Sequence, residues 1–166
     1  MAGGKDPSGT RARGRPYAPG YGIPSDPAGM LSWDRVERHL TEARNYWVAT
    51  VRPDGRPHVT PVWGLWVGEA FYFGAEPGSR KAPNLVENPN VVVHLESGDD
   101  VVIVEGVVEV IVGPDPPLVE RLVSASVAKY GVSSDEVEGS YAVRPRVAFA
   151  WSHSGPRTFT RWMFDH

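Results

Sequence analysis

Residues 45–89 decide the fold, and they read NYWVATVRPDGRPHVTPVWGLWVGEAFYFGAEPGSRKAPNLVENP. Three apolar runs in this stretch have the length and composition of β-strands. These runs are Tyr46–Val51, Pro57–Val67 and Ala70–Phe73. Between the first two, Pro53-Asp54-Gly55 is a turn sequence, because proline presets φ, aspartate bonds its own backbone and glycine accepts positive φ. The spacing predicts an antiparallel meander.

A basic turn follows the third run. Gly78-Ser79-Arg80-Lys81 opens a short predicted helix that runs from Ser79 to Asn88, before Pro89. The free amides of a helix N-terminus favour anions, and hydroxyl and cationic side chains strengthen that preference. The turn therefore indicates a phosphorylated cofactor that lies across the strands. A simple alternative stays open at this point, namely a helix start with two solvated cations.

Composition narrows the class of protein. The chain has 166 residues, 41% of them hydrophobic, with no cysteine and a net charge of −3. This length predicts one core-forming domain, and the missing thiols exclude disulfides and zinc-ribbon sites. No apolar run approaches a membrane span, and no signal sequence is recognisable. We expect a cytoplasmic protein that binds neither membranes nor nucleic acid.

Flanking segments complete the predicted domain. Residues 1–29 are rich in Gly, Pro and Arg and lack an apolar pattern, so we expect a disordered tail, and the folded domain is assigned to residues 30–166. Ser32 caps a predicted helix from Trp33 to about Arg44. Further strands are predicted near 90–96, 101–112, 146–152 and 157–164, and a further helix at 118–130. Together these elements predict a mainly β (α+β) fold, which is an antiparallel barrel of six or more strands with a few peripheral helices.

Common catalytic patterns are absent from the sequence. There is no G-x-S-x-G elbow, no cysteine nucleophile, no H-E-x-x-H pair, no G-x-G-x-x-G and no Walker loop. The five histidines do not pair at ligand spacing, so no metal site is expected. Anion capture beside an aromatic-rich sheet remains the main chemical feature.

Ordered motifs resemble one family of proteins. The sequence V-R-P-D-G-R-P-H-V-T-P-V-W, then F-Y-F, then G-S-R-K-A-P-N-L-V-E-N-P, is similar to the flavin-binding split-barrel superfamily of pyridoxamine 5'-phosphate oxidase and the flavin/deazaflavin oxidoreductases. R-P-R-V-A-F-A-W and T-R-W-M-F resemble its last two strands. The resemblance spans Trp33 to Phe164. It implies an antiparallel split β-barrel and an oxidoreductase that transfers hydride between a ring cofactor and a small organic substrate.

The resemblance also implies roles for particular residues. The S-R-K turn would grip the anionic tail of the cofactor, with Asn84 assisting, and residues 60–63 would run under the ring. Trp151 and Arg161 match a pair that reaches the cofactor from a partner subunit, which implies a homodimer with the site at its interface. The positions assigned to the cofactor are Thr60, Pro61, Val62, Trp63, Ser79, Arg80, Lys81, Asn84, Trp151 and Arg161.

Departures from the oxidase pattern bear on the substrate. Oxidase relatives carry an arginine where Thr60 stands and an aliphatic residue where Trp63 stands. Their substrate-binding R-L-H corresponds here to Arg157-Thr158-Phe159, which keeps Arg157 as a substrate contact but lacks the histidine. We therefore do not expect oxidation of pyridoxamine phosphate itself. The start R-N-Y-W-V-A-T-V-R-P-D-G-R-P-H is closer to the branch that uses FMN or the deazaflavin coenzyme F-420.

Other interpretations remain open from the sequence. A split barrel of this kind could carry flavin or haem without turnover, or could be a dimerisation domain with a vestigial pocket. The apolar residues Trp63, Trp66, Phe71 and Phe73 are expected in the barrel core or at a dimer interface rather than around a substrate. His58 and His94 are expected to be structural.

Overall fold

The computed structural model describes residues 4–5, 11–76, 78–133, 137 and 139–165, and within these it contains ten strands and three α-helices. The strands are β1 (Gly4–Lys5), β2 (Arg11–Gly14), β3 (Tyr46–Val51), β4 (Pro57–Val62), β5 (Leu65–Val67), β6 (Ala70–Phe73), β7 (Asn90–His94), β8 (Asp100–Val110), β9 (Tyr141–Ser152) and β10 (Thr160–Phe164). The helices are α1 (Trp33–Glu42), α2 (Lys81–Glu87) and α3 (Pro116–Tyr130), with a 3-10 turn at Pro156–Thr158. None of the helices in the described ranges has the length and apolar character needed to cross a bilayer.

The strands form one antiparallel sheet that curls but does not close. Its order is β1-β2-β10-β9-β8-β7-β3-β4, while β6 pairs with β9 and with β5. Among the described strands β4 pairs with β3 alone, so the barrel is split between β4 and the β5–β6 hairpin. This confirms the predicted mainly β fold with a few helices. Two prolines in β4, Pro57 and Pro61, lack an amide hydrogen, which an edge strand tolerates.

Helix α1 closes one end of the barrel. The Ser32 side chain accepts a hydrogen bond from the Arg35 backbone amide at 3.4 Å, which confirms the predicted cap. Val36 and Leu40 are each 1% exposed, and Trp33 meets Trp162 edge-on with ring centroids 5.5 Å apart. The main core therefore lies between this helix and the inner face of the sheet. A smaller cluster lies under α3 and includes Leu122.

The second apolar run of the meander is two strands rather than the one predicted. Trp63 and Gly64 separate β4 from β5. A Cβ on Gly64 would collide with the Phe71 ring and lie 2.9 Å from the Tyr72 carbonyl oxygen, so the chain bends where only glycine fits against β6. Periodicity could not reveal this bend, because it arises from the packing of one strand on another.

Two glycine predictions are confirmed. The β8–β9 register shifts between Glu105 and Gly106, so Gly106 lies at a bulge in the long strand β8. Gly131 ends α3 in the left-handed region at φ 71°, where its amide bonds the Val127 carbonyl.

The N-terminal segment differs from the disordered tail that we predicted. Residues 11–14 form β2 and pair with β10, so that prediction is wrong for this stretch, whereas residues 1–3 and 6–10 lie outside the described part of the chain. Arg11 is only 4% exposed, pairs with Glu69 and lies over the Trp33 ring. The Arg15 guanidinium donates to four backbone carbonyls at 2.6–3.1 Å. Both arginines therefore have partners within the fold, which composition alone could not show.

Candidate functional site

The basic turn lies between β6 and α2. Helix α2 begins at Lys81 rather than at Ser79, and no side chain caps it, so the predicted start at Ser79 is wrong. The Ser79 hydroxyl is buried and has no hydrogen-bond partner among the described residues. A buried donor without a partner is costly, and a bound ligand would satisfy it. With only 7 residues in α2, anion binding here depends on the side chains of the turn.

A cavity of about 500 Å³ lies beside this turn, and we call it the cation cavity. Arg52, at the end of β3, contributes to its wall together with Ser79, Arg80 and Asn84. The Arg52 Nε atom is also buried without a hydrogen-bond partner in the described part of the chain. Two unpaired donors at one cavity fit an anionic group with several acceptor oxygens.

The charge of the cation cavity is positive because its one acid is already paired. The Asp54 carboxylate accepts hydrogen bonds from Arg56 Nε at 3.0 Å and Nη2 at 2.6 Å. These hydrogen bonds lower the pKa of Asp54 below its ordinary value. No ion pair joins Arg52, Arg80 or Lys81 to an acid within the described ranges. Arg52 and Arg80 line the cation cavity and Lys81 lines the adjoining groove, so three cations remain for a ligand.

His58 on β4 lies within the field of these cations. Burial lowers the pKa of His58, and the charges of Arg52, Arg80 and Lys81 lower it further. A neutral imidazole is thus the favoured form near the cavity. An anion bound there would offset the three positive charges.

Asn84 holds α2 against the sheet. It is 1% exposed, and its Nδ2 donates to Thr50 Oγ1 on β3 at 2.8 Å. The side chain lines the cation cavity, but its amide nitrogen is engaged by Thr50. Its main effect is to fix the spacing between the end of β3 and the basic turn.

A second cavity of about 660 Å³ runs along the split in the barrel, and we call it the strand groove. Pro61, Val62 and Trp63 line one side, and Ser79 and Lys81 line the other. Ser79 borders both cavities, so the groove continues into the cation cavity. Next to the groove, the Thr60 hydroxyl is buried and finds no hydrogen-bond partner among the described residues.

Trp63 differs from the other aromatic residues of the meander. Trp66, Phe71 and Phe73 are at most 5% exposed and belong to the core, as predicted, whereas Trp63 is 53% exposed. Trp63 therefore does not lie in the core, and the alternative of a dimer interface stays a prediction for it. Its ring stacks on Tyr130 of α3, with centroids 4.6 Å apart and planes 6° from parallel. That stacking holds an exposed aromatic face at the end of the groove.

Three predicted residues lie away from the two cavities within one chain. Trp151 and Arg161 belong to β9 and β10, which β8, β7 and β3 separate from β4 in the sheet. Trp151 stacks on Phe159 with centroids 4.8 Å apart, and Arg161 Nε is buried without a hydrogen-bond partner in the described residues. Arg157 is exposed and pairs with Asp26 at 3.6 Å. A single subunit thus brings residues 61–63, 79–81 and 84 together at the two cavities, but not these three. Thr60, next to Pro61, also lines neither cavity.

Sequence reasoning missed Arg52 and Tyr130. Arg52 enters the site because β3 pairs with β4 and packs under α2, which places the end of β3 beside the basic turn. Tyr130 belongs to the site because α3 lies beside the split in the barrel. Its hydroxyl accepts a hydrogen bond from the Gly64 amide at 2.9 Å. Neither residue has a local signal, since both positions depend on tertiary packing.

The two cavities suit a ligand with an anionic end and a planar apolar body. Unpaired buried donors and three cations lie at one end, and apolar strand residues with an exposed tryptophan face lie at the other. The family described as pyridoxamine 5'-phosphate oxidase matches residues 32–155, more than half of the chain. The chain belongs to this split-barrel family. No curated protein matches it.

Solved structures show the same fold. A conserved hypothetical protein from Mycobacterium tuberculosis is 28% identical with a TM-score of 0.61, over 76% of this chain and 88% of that one. The haem storage protein HutZ from Vibrio cholerae is 17% identical with a TM-score of 0.53, over 68% and 88%. A structure described as an F420 reductase is 30% identical with a TM-score of 0.49, over 67% and 94%.

Proposed function

We propose that the protein is an oxidoreductase that uses FMN or the deazaflavin coenzyme F-420. The anionic tail of the cofactor occupies the cation cavity, and its ring lies along β4 in the strand groove. When bound, the ring supplies hydride transfer to or from a small organic substrate. The observation that carries the proposal is the position of Ser79, whose hydroxyl has no partner among the described residues and borders both the cation cavity and the strand groove.

Each part of the site has a distinct task in this proposal. Arg52, Arg80 and Lys81 neutralise the tail, and the Ser79 hydroxyl donates to it. The unpaired edge of β4 presents backbone groups to the polar rim of the ring. Pro61 and Val62 cover an apolar face and keep water from it. No side chain needs to act as a nucleophile, which agrees with the absence of a nucleophile motif.

The cofactor site is completed by a second copy of the chain in this proposal. Trp151 and Arg161 line neither the strand groove nor the cation cavity of their own subunit. A homodimer that places the β9–β10 face of one subunit on the groove of the other would bring them to the ring. The buried, unpaired Arg161 Nε would then have a ligand oxygen to bind.

Cofactor titration tests the proposal. FMN and F-420 should each be titrated into the wild-type protein and into Arg80→Glu/Lys81→Glu, with binding followed by cofactor absorbance or fluorescence. We expect binding of at least one cofactor by the wild type and its loss in the double variant. Arg38→Glu, at an exposed position on α1, should bind like the wild type. Binding of neither cofactor, or equal binding by the double variant, would contradict the proposal.

A carrier of flavin or haem is the second candidate. A haem storage protein has the same fold, which supports a carrier as the second candidate. The basic turn would then hold the anionic group of the carried ligand. Turnover separates the two candidates. Tight cofactor binding without oxidation by any small organic acceptor or by dioxygen would favour the carrier, whereas multiple turnovers would favour the enzyme.

A further inference from the structure

A third cavity, which we call the apolar chamber, opens beside the strand groove. It has a volume of about 280 Å³ and lies between the β5–β6 hairpin and α3. Tyr72 contributes one wall, Leu122 and Ser126 the opposite wall, and Val137 the end. This volume is near the lower limit of small-molecule sites, roughly 300 Å³.

The chamber and the strand groove share a boundary. Trp63, Gly74 and Ser140 line both. The shared boundary lies at the Trp63 end of the groove, where the cation cavity does not reach. A molecule in the chamber would therefore adjoin the ring end of a bound cofactor and not its anionic tail.

Trp63 is held rigidly as the wall between the two spaces. Tyr130 stacks on one face of its ring, and the Tyr130 hydroxyl bonds both the amide and the carbonyl of Gly64 at 2.9 Å. The Arg44 guanidinium lies 5.5 Å from the Trp63 ring centroid. The wall is thus fixed before any ligand arrives.

The lining of the chamber is uncharged among the described residues, and its polar groups are hydroxyls and backbone. The nearby Lys129 ammonium is engaged by Tyr46 Oη at 2.6 Å and by the Gly64 carbonyl at 3.4 Å. Burial lowers the pKa of Lys129 to about 8, so its charge is poorly solvated there. A charged ligand would lose its hydration in the chamber without gaining a counter-ion.

We infer that the apolar chamber binds the second substrate and selects a neutral, planar, mainly apolar compound in preference to a phosphate or carboxylate. This inference rests on the proposed function, in which the adjoining groove holds the cofactor ring. The substrate class follows from the contrast along one continuous site: Arg52 and Arg80 line the tail end, whereas the described residues that line the chamber are uncharged.

Matched variants on α3 test the inference. Ser126→Phe would fill the chamber, because Ser126 lines the chamber but neither of the other cavities. Ser124→Phe is the control, since it makes the same change at an exposed position of the same helix. Val132→Trp, at the exposed rim of the chamber, serves if Ser126→Phe does not fold.

The probes are 1-acetylnaphthalene, which is neutral, and 1-naphthoate, which has the same ring system and a negative charge. Binding to the full chain is measured by isothermal titration, in parallel with FMN and F-420. We expect the neutral probe to bind the wild type and Ser124→Phe alike, and Ser126→Phe about tenfold more weakly or worse. Naphthoate and pyridoxamine 5'-phosphate should bind the chamber at least about tenfold more weakly than the neutral probe.

Equal binding of the neutral probe to Ser126→Phe and the wild type would overturn the inference, and so would Ser126-dependent binding of naphthoate as tight as that of the neutral probe. Naphthoate binding that Ser126→Phe leaves unchanged is assigned to the cation cavity and the strand groove. The cofactor titrations separate its failure from that of the proposed function. If a cofactor binds but the neutral probe does not bind in the chamber, the inference about the chamber is overturned and the proposed function stands. Ser126-dependent probe binding without binding of either cofactor overturns the role of the chamber as a second-substrate site, together with the proposed function.

Discussion

At the scale of single residues, the site depends on charge that the protein leaves uncompensated. Asp54 is paired with Arg56, so the three cations around the cation cavity have no internal partner in the described chain. Like charges that lie close together lower the free energy of unfolding, because they repel one another and because burial removes their hydration. An anion that binds here relieves the repulsion and satisfies the buried donors in one step.

The pKa of His58 responds to the charge of Arg52, Arg80 and Lys81. Burial and the three cations hold its pKa below the ordinary value of 6.5 in the free protein. We predict that inorganic phosphate raises the pKa of His58, because a bound anion favours the protonated ring; by linkage, phosphate binds more tightly as the pH falls through this pKa. The measurement is an NMR titration of the imidazole with and without phosphate. An unchanged pKa at saturating phosphate would place the anion elsewhere.

Arg52 tests the part of the cation cavity that has no local sequence signal. We predict that Arg52→Ala weakens binding of FMN or F-420 about 10- to 100-fold, the usual loss for a charge-assisted hydrogen bond. Arg38→Ala is the control, because it removes the same charge at an exposed position on α1, away from the cation cavity. Its loss should be much smaller. Equal losses in the two variants, measured by the same titration, would indicate a general effect of charge.

At the scale of elements, the short break between β4 and β5 shapes the site. Gly64 lets the chain bend against Phe71, and the bend turns Trp63 outward to stack on Tyr130. The strand groove and the apolar chamber meet at this corner. One glycine therefore links packing of the barrel to the geometry of the candidate site.

Replacement of that glycine should be costly. We predict that Gly64→Ala lowers the free energy of unfolding by about 1–3 kcal/mol, because its Cβ would overlap the buried Phe71 ring. Gly98→Ala is the control, since nothing lies within 4 Å of a Cβ there, and it should change stability by less than about 0.5 kcal/mol. Chemical denaturation compares the three proteins. A stable Gly64→Ala would show that the bend does not require glycine.

Sequence patterns predicted the elements that have local signals. Alternating and continuous apolar runs gave β3 and β6 at their observed bounds, Ser32 predicted the start of α1, and Gly131 the end of α3. They could not give the break at Gly64 or the pairing of β2 with β10, which depend on contacts between distant segments. For the site, the order of motifs indicated the basic turn and β4. The positions of Arg52 and Tyr130 required the fold.

At the scale of the whole molecule, the proposed site spans two subunits. The basic turn and the β9–β10 residues lie at separate places on one chain, so neither subunit alone supplies all of the predicted contacts. Dimerisation would then be a condition of cofactor binding and not only of stability. Coupling of this kind makes the two halves of the site separable by mutation.

Mixed dimers provide the corresponding prediction. Arg80→Glu/Lys81→Glu and Trp151→Ala/Arg161→Ala should each fail to bind cofactor alone. After denaturation and refolding together, about a quarter of the sites should recover, because half of the dimers are mixed and each mixed dimer has one intact site. Sedimentation confirms that the mixture is dimeric. No recovery in such a mixture would contradict a shared site.

The most direct measurement of the central claim is a crystal structure of the protein with FMN or F-420. The account predicts the anionic tail in the cation cavity, within hydrogen-bond distance of Ser79 Oγ and Arg52 Nε, and the ring against residues 61–63. A cofactor bound away from Ser79, or one whose tail faces solvent while Arg52, Arg80 and Lys81 make no contact with it, would contradict the account.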